Sequence, residues 1–507
     1  VSSLDLSLER GETLALLGES GCGKSMTALA LMRLLPPAGR VLSGTAALAG
    51  TDLLRLPEWA MRRVRGGRLA MIFQEPQTSL NPVLTAGTQI AEAVRVHAET
   101  PAERRGGAVR RRVLGLLEAV GIPDPVRRMD EYPHQLSGGM KQRVTIAMAL
   151  AGRPEVLIAD EPTTALDVTI QAQVLGLLKD LQRETGMAVL LITHDLGVVA
   201  ETADRLAVMY AGQIVETARV GDFFAGPAHP YSERLLASLP DATRRGERLA
   251  AIPGRVPPLD RPFVGCRFAP RCPWVMPLCT ERAPDWDEPA PGRGLRCHLG
   301  GGGLAGLVPR DSTRAGTGVQ TEAETETETG AETGAETGPV RARGPAPAAQ
   351  PAQSPGEYPA LLEVEGLKVH FPIRRGLLRR TRGQVRAVDG VSLSLCASRT
   401  LALVGESGCG KTTAGKGLLQ LIAHTGGSVR YLGQELSGLG HRRMRPFRKD
   451  LQIVFQDPYA SLNPRMPVGE AVAEGLKALG IEPRRAARQR RVAELLELTG
   501  LSPETMD

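Results

Sequence analysis

The ten residues Leu16–Ser25, LLGESGCGKS, return as LVGESGCGKT at Leu403–Thr412. A second pair follows in the same order: IFQEPQTSLNP at 72–82 and VFQDPYASLNP at 454–464. Two matches in one order and at nearly one spacing mean a tandem duplication of a domain. The interval is far too long for a solenoid. Whatever the first copy folds into, the second is built on the same plan. The chain of 507 residues is therefore expected to hold several domains.

The duplication also locates the ends. Residues 1–8, VSSLDLSL, align with VDGVSLSL from Val388. The second copy carries LLEVEGLKVHFPIRRGLLRRTRGQVRA upstream of that point, and the first has no counterpart. The expectation is that the true N-terminus lies beyond Val1. Between the copies, 301–358 contains GGGG, an acidic Thr/Glu/Gly tract and PVRARGPAPAAQPAQSP. Such a stretch buries too little apolar surface to offset its ordering entropy, so it reads as a disordered linker, stiffer at its Pro/Ala end.

Within copy one, short apolar runs at Leu14–Leu17, Val156–Ala159 and Ala188–Thr193 read as buried strands of a mostly parallel sheet. The stretches Lys24–Leu35, Gly138–Ala151 and Thr169–Glu184 read as helices. The alternation is α/β. No run of 18 apolar residues occurs, so no membrane-spanning helix is expected. The net charge of +7 leaves nucleic acid, anionic membrane and phosphate ligands open as partners. Most of the basic residues are scattered Arg, however, which argues against a nucleic-acid stripe.

Gly18-Glu19-Ser20-Gly21-Cys22-Gly23-Lys24-Ser25 fits G-x4-G-K-[ST], between an apolar strand and a helix. That context defines a phosphate loop. Backbone N–H groups and a helix N-terminus cradle the phosphates, Lys24 reaches the β/γ-phosphates and Ser25 the Mg²⁺. The second copy repeats it as Gly405-Glu406-Ser407-Gly408-Cys409-Gly410-Lys411-Thr412, with Thr412 in the metal position. Cys22 and Cys409 lie inside the loops. Their small size suits a tight loop; the other reading is that amide donors and the helix end lower their pKa, giving alkylation that ATP blocks. An apolar strand ends in Asp160-Glu161-Pro162, where Asp160 is placed to hold Mg²⁺ through water and Glu161 to polarise an attacking water. Leu136-Ser137-Gly138-Gly139-Met140 opens a helix with a Ser N-cap and two glycines, an anion site with no lysine of its own.

Together these residues resemble an ATP-binding cassette (ABC) ATPase. The set comprises the phosphate loop, Gln74 in a Q-loop, the Leu136–Met140 signature, Asp160–Glu161, the Ala165-Leu166-Asp167 D-loop and a switch His194. Met140 departs from the Gln that many members carry. The resemblance implies a P-loop NTPase fold with a mixed sheet and a helical subdomain, present twice. It implies ATP and Mg²⁺ as ligands and Glu161, His194 and Gln74 as catalytic. Gln74 would also touch Mg²⁺ and link that site to a transmembrane partner, and His194 would contact the γ-phosphate. In the second copy, Gln456 and Phe371 join Gly405–Thr412 as ATP-binding residues, Gln456 also at the metal. Family members pair two such domains head to tail, each signature capping the other's nucleotide. The second copy's own signature, acidic pair and switch His are expected beyond Asp507. On that reading Ser137–Gly139 caps the Lys411 loop. The chain alone is then expected to bind ATP and hydrolyse it poorly.

Cys266, Cys272, Cys279 and Cys297 cluster in a Pro-rich segment without C-x2-C spacing. An Fe–S cluster, a Zn site or a buried reduced group all stay open. This segment, with the preceding AGPAHPYSERLLASLP, resembles the C-terminal extension of oligopeptide and dipeptide transporter ATPases, some of which hold a [4Fe–4S] cluster there. The implied layout is a first nucleotide-binding domain at 1–225, the Cys-bearing extension at 226–300, the linker at 301–358 and a second nucleotide-binding domain at 359–507. The implied function is ATP-driven import of di- or oligopeptides through two separate membrane permease subunits. An extracytoplasmic solute-binding protein takes part indirectly, and no nucleic acid. The chain would sit peripherally on the cytoplasmic face of the plasma membrane. Nickel and glutathione importers share this architecture. A soluble tandem ATPase acting on nucleic acid or ribosomes is the alternative of another class.

Overall fold

The computed structural model describes residues 1–74, 79–164, 167–239, 252–257, 259, 262–300, 360–375, 380–406, 408–455 and 461–506. The segment 301–358, expected to be a linker, lies outside the described residues. The chain divides into two compact units, Val1–Pro347 and Ala348–Asp507.

In the first unit the apolar runs form β1 (Thr13–Leu17), β2 (Leu69–Ile72), β3 (Val156–Asp160), β4 (Ala188–Ile192) and β5 (Arg205–Tyr210). They pair in parallel in the order β2-β3-β4-β1-β5. Both faces of such a sheet are covered, which is why the strands carry almost no polar residues. Leu14 and Leu16 pack on one face with Met32, Met61, Ile158 and Ile192. Ala15 and Leu17 pack on the other with Phe223, Tyr231 and Phe268. Each buried Leu contributes about 1.5–3 kcal/mol.

After β5 the direction reverses. Ala211 (φ 44°) and Gly212 (φ 84°) form a two-residue turn with both φ angles positive, the geometry that matches strand twist. It leads into β6 (Gln213–Arg219), antiparallel to β5. The Cys-bearing segment then adds β7 (Asp287–Ala290) and β8 (Arg293–Leu295) to the same sheet, β8 pairing with β6 through Gly294–Thr217 and Leu295–Glu216.

Helix α1 (Lys24–Leu31) follows β1. It stops short of the expected Leu35. Arg33 enters the left-handed region at φ 51°, and Leu34 N–H bonds Leu29 O while Arg33 N–H bonds Ala30 O. This is a Schellman stop, and Pro36-Pro37 follow it. Helices α2 (Ala86–His97), α3 (Gly106–Ala119) and α4 (Gly138–Ala149) gather Ile90, Val94, Val113, Leu117, Val144 and Ile146 into one core, with α5 (Val168–Thr185) beside it through Val174 and Leu178. Helix α6 (Pro230–Ala237) lies on the opposite face of the sheet through Tyr231.

The second unit holds an antiparallel sheet of β9 (Ala360–Arg375), β10 (Arg380–Cys396), β11 (Gly426–Tyr431) and β12 (Gln434–Glu435), in the order β10-β9-β11-β12. Helix α7 (Lys411–Leu418) packs on it through Ala414. Helices α8 (Val468–Leu479) and α9 (Arg485–Leu498) meet through Leu476, Val492 and Leu496. The Leu401–Val404 run corresponds to β1 but pairs with no strand among the described residues. Leu401, Leu403 and Val404 are 51%, 51% and 88% exposed. In the first unit β1 is flanked by β4 and β5, and the second unit has no described counterpart of either.

Candidate functional site

The phosphate loop runs from the end of β1 into α1. Gly18 sits at φ 150°, and a Cβ there would lie 2.2 Å from Met209 O of β5, so only glycine lets the loop leave the sheet at this point. Lys24 is 6% exposed, and its Nζ donates to Gly18 O at 2.7 Å and Glu19 O at 3.1 Å. The ammonium thus occupies the mouth of its own loop. Cys22 is fully buried, and burial pushes its thiol up, Lys24 only partly opposing this. The expectation of a low-pKa, alkylation-prone Cys22 is corrected: the loop N–H groups do not compensate the thiolate's lost hydration. Cys409 is exposed.

Asp160 and Glu161 close β3 in different environments. Asp160 is 3% exposed, and its Oδ1 has no hydrogen-bond partner. Burial raises its pKa, Ser25 and Lys24 favour the charged form, and Glu161 opposes it. A buried carboxylate with a free oxygen beside Ser25 and Lys24 is a donor set that fits Mg²⁺. Glu161 is the hub of the site. Its Oε2 accepts from Gln74 Nε2 at 2.9 Å and from Thr164 Oγ1 at 2.9 Å, and its Oε1 lies 3.1 Å from His194 Nδ1. Burial would raise the Glu161 pKa. The Thr164, His194 and Gln74 hydrogen bonds outweigh it, and the carboxyl is held below its ordinary value. Its backbone has φ 47°, an uncommon conformation for a glutamate. Its N–H bond to Ile192 O (2.9 Å) ties it to β4. Residues from three places distant in sequence, Gln74, Asp160–Glu161 and His194, thus meet at one end of the sheet.

The signature residues begin α4. Ser137 Oγ accepts from Met140 N–H at 3.3 Å as N-cap. Gly139 has a packing role besides exposing its N–H, because a Cβ there would meet Ile170 Cγ2 of α5 at 2.7 Å. Asp167 caps α5 by accepting from Ile170 N–H at 2.9 Å. Ala165, Leu166, Ser407 and Gln456 lie outside the described residues.

In the second unit Lys411 Nζ repeats the first loop's contacts, donating to Gly405 O at 2.6 Å and Glu406 O at 2.7 Å. Gly405 has φ 158° and Gly410 φ 103°, close to Gly18 and Gly23. Thr412 follows Lys411 in the first turn of α7. Phe371 lies on β9 opposite Val385 of β10 and is partly exposed.

The four cysteines converge. Cys266 N–H bonds Cys279 O at 2.7 Å, and a Cβ on Gly265 would collide with the same carbonyl at 2.3 Å. Burial pushes the Cys272 thiol up to about 12 and that of Cys297 to about 11, and raises Cys266. Neighbouring cysteines add to each rise: Cys297, Cys266 and Cys279 act on Cys272, and Cys266 and Cys279 on Cys297. All seven cysteines are free thiols. Among the described residues no group of three or more His, Cys, Asp or Glu is arranged to hold one metal ion.

Sequence reasoning missed Thr164, Tyr231 and Arg271. The Glu19 N–H donates to Tyr231 Oη at 3.0 Å, and the Arg271 guanidinium grips the Glu19 carboxylate at 2.7 and 3.0 Å. Thr164 lies three residues from Glu161 and could have been found as a neighbour. The other two are more than 200 residues from Glu19, and no local pattern marks them.

The family model for ABC transporter matches residues 1–164 and 388–506, and that for the oligopeptide/dipeptide transporter C-terminal region matches 215–279. The oligopeptide transport ATP-binding protein OppD of Mycobacterium tuberculosis is 44% identical, over 99% of this chain and 76% of its own length. The glutathione import ATP-binding protein GsiA of Escherichia coli O157:H7 is 43% identical, over 99% of this chain and 68% of its own length. A dimeric bacterial ABC transporter cassette of known structure aligns with TM-score 0.38 and 29% identity, over 43% of this chain and 89% of that one. No helix among the described residues is long and apolar enough to cross a membrane. A duplicated phosphate loop, a carboxylate hub at the strand ends, the family-model matches and the OppD and GsiA relatives lead to one conclusion: the chain belongs to the ABC transporter family, as an ATP-binding, ATP-hydrolysing protein that carries the oligopeptide/dipeptide-type C-terminal region.

Proposed function

We propose that this chain is the motor of an importer for di- and oligopeptides, seated peripherally on the cytoplasmic face of the plasma membrane against two permease subunits. An extracytoplasmic solute-binding protein would select the cargo. The observation that carries the chemistry is the hub at Glu161, hydrogen-bonded to Gln74, Thr164 and His194 beside the buried Asp160. The cargo class is supported by the match at 215–279 and by relatives named for oligopeptide and glutathione import.

In this reading Lys24 releases Gly18 O and Glu19 O and reaches the β/γ-phosphates. Gly18–Ser25 offer their N–H groups, as Gly405–Thr412 do around Lys411 with Gln456 and Phe371. Asp160, Ser25 and Gln74 would hold Mg²⁺, as Thr412 and Gln456 would in the second unit; the ion would supply neutralising charge for the phosphates. Glu161, kept ionised by its three donors, orients the attacking water and accepts its proton, while His194 stands at the γ-phosphate. Leu136–Met140 present a capped helix N-terminus to a nucleotide, and Ala165–Asp167 form the D-loop.

For the four cysteines the reading is a [4Fe–4S] cluster on Cys266, Cys272, Cys279 and Cys297. What supports it is the resemblance of the segment and the influence of the thiols on one another's ionisation. Broad visible absorbance with matching iron after anaerobic purification supports it. Background iron and zinc remove every metal reading.

The test of function is ATP-driven uptake of labelled di- and oligopeptides by vesicles holding the chain and its permeases. Uptake that Glu161→Gln abolishes is expected. Uptake of nickel or glutathione in place of peptides would overturn the cargo assignment.

A further inference from the structure

We propose that Arg271 is a positioning residue for the first nucleotide loop: the 266–272 segment of the extension braces Glu19 and so sets the affinity of the Lys24 loop for nucleotide. This rests on the reading of Gly18–Ser25 as a nucleotide loop.

Glu19 is held at three points. Its N–H donates to Tyr231 Oη at 3.0 Å, its carbonyl accepts from Lys24 Nζ at 3.1 Å, and its carboxylate takes the bidentate fork of Arg271. Arg271 is 7% exposed and spends its remaining donors on the same region: Nε on Pro253 O at 2.8 Å, Nη1 also on Tyr210 Oη at 3.3 Å and Nη2 also on Ile252 O at 3.4 Å. A planar fork with its donors used in this way has one orientation.

The arrangement has a consequence for binding. When Lys24 turns to a phosphate it leaves the Glu19 carbonyl. Tyr231 and Arg271 are then what hold the loop's second residue. A carboxylate one residue past Gly18 also repels a polyphosphate. Paired with Arg271, it is neutralised and drawn toward the extension. The second unit supplies the contrast: Lys411 makes the same two carbonyl contacts, and Glu406 has no ion pair among the described residues.

The experiment titrates the full chain with a fluorescent ATP analogue, with Lys411→Ala in every arm so that only the first loop binds. Lys24→Ala should abolish binding; if it does not, the loop reading itself fails. Arg271→Ala should weaken binding roughly tenfold, inside the ~5–150-fold range of typical coupling between sites. Adding Glu19→Gln to Arg271→Ala should restore affinity to within about threefold, because the repulsive charge goes. A merely structural Arg271 would leave the double variant as weak as the single or weaker. Hydrogen exchange over 266–272 gives a second readout. Nucleotide should slow it in the parent protein, and Glu19→Gln alone, which leaves the extension intact, should cancel the slowing. Loss of binding in Lys24→Ala with unchanged affinity in Arg271→Ala, or exchange indifferent to nucleotide in the parent, overturns the proposal and leaves the loop reading standing.

Discussion

Gln74 Nε2 donates a 2.9 Å hydrogen bond to Oε2 of Glu161, joining the end of β2 to the end of β3 across 87 residues of sequence. A residue at the start of the Q-loop therefore holds the carboxylate to which we assign the attacking water. Replacing Glu161 by Gln keeps the shape and removes the proposed base. ATP hydrolysis by the transporter should fall by about 10²–10⁴-fold, the usual worth of a general base. Nucleotide affinity should change little. Phosphate release and equilibrium binding measured on one preparation check this, and parallel loss of both would place Glu161 in binding.

Gly139 predicts a packing cost separate from any role at the signature. Its missing Cβ leaves room for Ile170 Cγ2. Gly139→Ala should destabilise the first unit by about 1–3 kcal/mol. Ile170→Ala, which removes Cγ2, should cost less in the Gly139→Ala background than in the parent, measured by urea unfolding. If the pair is additive, the contact is unimportant.

The two loop cysteines should separate cleanly. A maleimide should label Cys409 well before Cys22, because one is exposed and the other buried with a raised pKa. Saturating Mg-ATP should slow the Cys409 reaction. Mass mapping of labelled peptides decides it, and equal rates at the two sites would refute the burial of Cys22.

His229 predicts acid sensitivity. It is buried, and burial lowers its pKa to about 3, opposed only partly by the Arg296 backbone. The unfolded state, with a pKa near 6.5, binds a proton that the folded state refuses. Stability from this group is therefore complete above about pH 6.5 and falls as pH drops toward 3, by at most about 1.4 kcal/mol per pH unit. His229 Nδ1 also accepts from Tyr231 N–H as the cap of α6. His229→Asn keeps a capping acceptor and removes the titration. Its melting temperature should fall less steeply between pH 6.5 and 4 than the parent's.

The parallel strands and the phosphate loop were legible in sequence because each is a local pattern: a short apolar run, or glycines at fixed spacing before a lysine. Glu161, Gln74 and His194 were legible one by one through the family resemblance. Their convergence on a single carboxylate was not, since it depends on the strand order β2-β3-β4. Helix α1 ended early because its stop is an arginine in a left-handed conformation, where the usual sign is glycine. The low pKa expected of Cys22 came from counting nearby donors without the burial that opposes them. Arg271 left no trace at all, because the loop it braces lies 252 positions away.

The pairing of β8 with β6 also bears on how the protein is made. Thr217 emerges during synthesis well before its partner Gly294. At the usual pace of roughly 5–20 residues/s, the outer edge of β6 waits several seconds for its neighbour. Until then it is an open strand edge beside a largely finished sheet, the kind of surface that pairs with the wrong chain. The Cys-bearing extension thus closes a window of vulnerability in the newborn chain, and a polypeptide released at residue 225 would never close it.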